Sequence, residues 1–148
     1  MEENKISKVR QLLYNCTNAE VQAKIPQIED QEILFVYAYN YNWNNGFDIP
    51  QLILDNDKCN QSIALLIFYM ADGISYLFDK SYNEKLPQWS DFIKNLYDSI
   101  LNGKYQNGEI EFRVPLTKVQ LFKLKKILTI QEEIFIENIK GKSLYMDL

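Results

Sequence analysis

The sequence predicts a mainly α-helical domain: an antiparallel arrangement of short stacked helices with a small two-stranded β element near the C-terminus. Three observations carry this. Apolar residues recur at helical spacing through most of the chain, caps and breakers punctuate them every ten to fifteen residues or so, and only Glu109–Val114 alternates strictly between polar and apolar. A length of 148 residues predicts a single domain, 1–148, able to bury roughly two-thirds of the surface its unfolded chain exposes.

The first helical face joins Ile6, Val9, Leu12 and Leu13. Thr17 and Glu20 then have the spacing of a capping box, opening a short helix to about Lys24 that Pro26 stops. Asp30 is placed to cap a helix from Gln31 to about Tyr39, with Leu34, Tyr37, Ala38 and Tyr41 on one face. Gly46 supplies a positive-φ turn, Asp48 a cap, and Pro50 the first turn of a helix to about Leu54. The uninterrupted apolar run Ile63–Ala71 follows the cap Asn60, which predicts a helix buried on most sides and stopped at Asp72-Gly73. Pro87 opens an amphipathic helix to about Asn102, with Trp89, Phe92, Ile93, Leu96, Tyr97 and Ile100 as its stripe. Glu109–Val114 reads as one strand, ended by Pro115, and Thr117 caps a lysine-rich helix to about Ile127. Residues 133–137 read as the second strand, with helix open as the alternative for so short a run.

Asn42-Trp43-Asn44-Asn45-Gly46-Phe47-Asp48-Ile49-Pro50 packs a tryptophan, a turn, a cap and a helix-starting proline into one corner. This stretch resembles the N-W-[DN]-[DN]-G-F-[ED]-I-P signature of a family of small bacterial domains of unknown function. In that family the signature precedes an apolar helix ending in A-D-G, here Ala71-Asp72-Gly73. The resemblance implies a fold and no reaction.

Composition excludes more than it selects. There is no histidine, which removes every Ser-His, Cys-His and His-metal arrangement. Cys16 and Cys59 lie in separate segments, and the acidic run at Asp55–Asp57 lacks the glycine and glutamate of a calcium loop. No metal and no cofactor are expected. A net charge of −4 gives no electrostatic footprint for nucleic acid. The longest apolar run is too short to cross a bilayer, and the chain opens on acidic residues rather than an apolar leader. The expected location is the cytoplasm.

Candidate ligand- or partner-binding residues are Trp43, Asn44, Asn45, Asp48 and Asp72. Trp43 and its neighbouring tyrosines could anchor a partner or simply fill the core. Asn44, Asn45 and Asp48 could hold a small anion at a helix N-terminus or satisfy their own turn. Asp72 follows an apolar helix at the end where the dipole disfavours a carboxylate. The reading that results is a non-catalytic module that binds another protein, in concrete form an immunity-type inhibitor of a cognate toxin. A carboxylate-based enzyme or small-ligand binder, and a structural subunit of a larger complex, are the alternatives.

Overall fold

In the computed structural model, which describes residues 1–148, the helices stack around one apolar helix. They are α1 (Glu3–Tyr14), α2 (Asn18–Lys24), α3 (Gln31–Tyr39), α4 (Asp48–Asp55), α5 (Gln61–Met70), α6 (Gly73–Phe78), α7 (Pro87–Leu101) and α8 (Lys118–Lys125). Three 3-10 turns, Ile25–Gln27, Trp43–Asn45 and Gln131–Ile136, complete the order.

Four of the five caps lie where the sequence puts them, Asp48 being the exception. Thr17 with Glu20 and Thr117 with Gln120 form reciprocal capping boxes, and the Asp30 and Asn60 side chains accept from Glu32 and Ile63 N–H groups. Each satisfies a donor the helix cannot. α5 then buries eight of its ten residues. It lies between α3 and α7, with α1 packed on the far side of α3. Phe35, Ile63, Leu65, Phe68 and Ile93 are all essentially inaccessible at this centre. At the N-terminal end of α5 one polar group goes unmatched, since neither amide atom of the buried Gln61 finds a protein partner.

Three expectations need correction. The two-stranded β element does not form: the chain holds no strand, only isolated bridges of Ile110 with Lys142 and Phe112 with Ile139. Residues 133–137 lie mostly in the last 3-10 turn, because Glu132 and Phe135 both turn inward there. The alternation at 109–114 does place Ile110 and Phe112 in the core, each held by a single isolated bridge. Second, Gly73 is not a terminator: α6 starts at it, after Asp72 takes the left-handed conformation at φ 61° and ψ 40°. Third, Asp48 is the first residue of α4 rather than its cap, and Phe47 holds the cap position without a side-chain bond.

Candidate functional site: an aromatic corner beside an apolar groove

Gly46, at φ 89°, turns the chain between α3 and α4, and the Tyr41 hydroxyl donates to its carbonyl at 2.8 Å. That turn holds Trp43 edge-on to Tyr41 at 5.2 Å and to Phe92 of α7 at 6.4 Å. Phe47 lies 4.8 Å from Phe92. Edge-on and offset contacts of this kind are favourable beyond the area they bury. Trp43 and Phe47 thus fasten the corner to α7 while staying only half-buried.

The other side of the corner comes from the α5–α6 junction. A Cβ on Gly73 would lie 2.3 Å from the Phe68 ring and 2.5 Å from the Phe68 carbonyl, so only glycine lets α6 leave so tightly. Asp72, forced into the left-handed region, is a residue type that tolerates it. Its carboxylate accepts from the Ser75 hydroxyl at 2.7 Å. Trp89 closes the wall, its indole N–H donating to the Ala71 carbonyl at 2.7 Å.

These pieces enclose a depression of about 370 Å³ walled by Trp43, Phe47, Met70, Leu86 and Trp89, with Asp72 its one charged lining residue. The Trp43 indole nitrogen, by contrast, has no hydrogen-bond partner. Across Met70, which lines both, lies an apolar groove of about 610 Å³ bounded by Tyr69, Ile74, Val114 and Leu116.

Of the sequence-predicted residues, the structure therefore brings Trp43 and Asp72 together. Asn44, Asn45 and Asp48 are exposed and line neither depression. The corner's side-chain turn bond is made by Asn42, which accepts from the Asn44 N–H. Cys59 is buried, its thiol pushed up to about 12 by burial, and Cys16 is free as well. No three Cys, Asp or Glu side chains converge as a metal set would. No helix is long and apolar enough to cross a membrane.

Sequence reading missed a second constellation. Glu132 is buried, and its carboxylate accepts from Lys80 Nζ at 2.8 Å, the Tyr97 hydroxyl at 2.7 Å and the Thr129 N–H at 3.0 Å. Burial alone would raise this acid, but the bonds from Lys80, Thr129 and Tyr97 outweigh it and hold the carboxyl down at about 2. Burial, aided by Glu132, pushes the Tyr97 phenol the other way, so it remains a donor. Tyr97 also stacks on Phe135 at 5.1 Å and 4°. With all its bonds made inside the fold, this group is a clasp between α7, the loop after α6 and the C-terminal segment. Only Thr129, three residues away in capping-box spacing, is signalled locally; Lys80 and Tyr97 lie 52 and 35 residues from Glu132, so the sequence does not join them.

Residues 29–101 match the family model of a domain of unknown function, DUF4274. The corner, α5, the α5–α6 junction and α7 all lie inside that match. No curated protein and no solved structure matches the chain.

Proposed function

We propose that this protein is a non-catalytic module that binds another protein by seating a basic side chain of that partner in the aromatic corner. In its concrete form it is an immunity-type inhibitor that blocks a basic toxin. The observation that carries this is the make-up of the depression: two tryptophans and a phenylalanine with a single carboxylate, Asp72. Aromatic faces attract a cation, and more strongly when it is desolvated. The stem of a lysine or arginine would lie along Trp43 and Trp89, its charge toward Asp72. The adjoining groove across Met70 gives the same partner a place for an apolar side chain. Net charge −4 would steer a basic partner inward. The resemblance of residues 42–50 to a family signature fits a corner kept for binding as well as for folding. A carboxylate pair acting on one substrate needs both acids at one cleft. Asp48 lies outside the lining of the corner, which favours binding over chemistry.

The test is co-expression with the products of neighbouring genes, scored by growth, with wild type beside Leu86→Lys and Asp72→Asn. Leu86 is 53% exposed at the mouth, so lysine there repels a cation without disturbing the core, and asparagine keeps the left-handed turn. The expected result is rescue from one toxic neighbour by wild type, lost in Leu86→Lys, with affinity about tenfold weaker in Asp72→Asn. Rescue that both variants leave intact would move the contact elsewhere, and no rescue from any neighbour would remove the inhibitor role.

A further inference from the structure

We infer that the outward face of α8 is a second docking surface, and that it takes an acidic amphipathic segment of a partner protein. This goes beyond the corner, whose own charge is negative. Between Thr117 and Ile130 the chain has four lysines and no carboxylate, against a net −4 for the whole. None of Lys118, Lys123, Lys125 or Lys126 is in an ion pair, although other lysines of the molecule are.

Four apolar residues of the same stretch are exposed as well. Val119 and Phe122 are each 61% exposed, Ile127 is 52% and Ile130 is 82% exposed. Within α8 only Leu124 is buried, so a single side chain anchors the helix. At helical spacing Val119, Phe122 and Lys126 share the outward face, and Lys126 Nζ lies 4.3 Å over the Phe122 ring. Lys118 and Lys123 flank that face. An exposed apolar stripe rimmed by one sign of charge marks an interaction surface, and the rim sets the partner's sign.

The occupant follows from charge and length. Nucleic acid would call for arginines and a basic molecule, and α8 has no arginine. Helices that lie in a membrane surface present a continuous apolar face, whereas α8 itself exposes only the apolar Val119 and Phe122; its eight residues extend about 12 Å, enough for two turns of a partner helix. Carboxylates flanking an apolar stripe on such a helix would meet the lysines while the stripe covers Phe122 and Val119.

The probe is a short helical peptide with glutamates flanking a Leu–Phe stripe, compared with the same peptide carrying glutamine for glutamate. Binding to the full chain is followed by amide chemical shifts and by its salt dependence. The expected result is shifts concentrated in residues 118–130, with affinity about tenfold weaker for the glutamine peptide. A similar loss is expected for Phe122→Ser with Ile130→Ser, and separately for Lys123→Glu with Lys126→Glu, while Asp91→Asn, an exposed position on α7 outside both surfaces, leaves peptide binding unchanged. Thermal melts matching wild type establish that the variants fold, and the charge-reversed pair leaves every apolar contact in place. Absence of binding, shifts outside 118–130, or equal binding of the glutamine peptide would overturn the inference. So would preference for phosphatidylcholine–phosphatidylserine vesicles, or a self-association that Phe122→Ser abolishes.

Discussion

At the scale of single residues, the corner depends on two adjacent positions with different demands. Asp72 needs backbone tolerance, since it is the one non-glycine residue with positive φ. Gly73 needs space, because a methyl there would run into both the ring and the carbonyl of Phe68. Gly73→Ala should therefore destabilise the fold by about 1–3 kcal/mol, the usual cost of overpacking a fixed core, measured as a lower urea midpoint. Gly46→Ala, where nothing lies within 4 Å of a new Cβ but φ is 89° and ψ −161°, should cost a comparable ~1–3 kcal/mol through backbone strain alone, since that region is essentially glycine's. A Gly73→Ala variant as stable as wild type would mean that α6 can slide away from Phe68. The sequence alone marked Asp72-Gly73 as unusual and misread the reason. A glycine after an apolar helix is most often a stop, and the crowding that makes it a helix start comes from Phe68, a full turn upstream.

At the scale of elements, what was legible was local. Capping at Thr17, Asp30, Asn60 and Thr117 depends on residues within three positions of one another, so spacing alone reveals it. The end of the chain was misread because its conformation is set from far away: Phe135 is held by Phe68 and Tyr97, and Glu132 by Lys80 and Tyr97. That clasp has a pH signature. Glu132 falls from an ordinary 4.5 to about 2 in the fold. Its contribution is therefore fully present above the unfolded value and is lost as pH drops from about 4.5 toward 2. The linkage amounts to about 3 kcal/mol. Urea titrations across that range should show wild type losing more stability than Glu132→Gln, which cannot titrate. Parallel curves for the two would show that other carboxylates carry the acid sensitivity.

At the scale of the whole molecule, the family match and the folding unit do not coincide. Residues 29–101 contain α3 to α7, yet Val9 and Leu12 of α1 and Phe112, Leu124, Phe135 and Leu144 all belong to the same core. A fragment of residues 29–101 should consequently expose the flanks of α3 and α5, bind a hydrophobic dye and unfold without a sharp transition. A cooperative melt like that of the full chain would show the outer segments to be dispensable. The candidate site was legible in the same partial way. Trp43 and Asp72 could be singled out from the chain, but Leu86 and Trp89 join them only because α7 folds back over the α5–α6 junction. The walls of that corner also hold both tryptophans of the protein. Indole emission from the native chain therefore arises at one place, and its colour and quenching give an unlabelled optical record of whatever enters the corner.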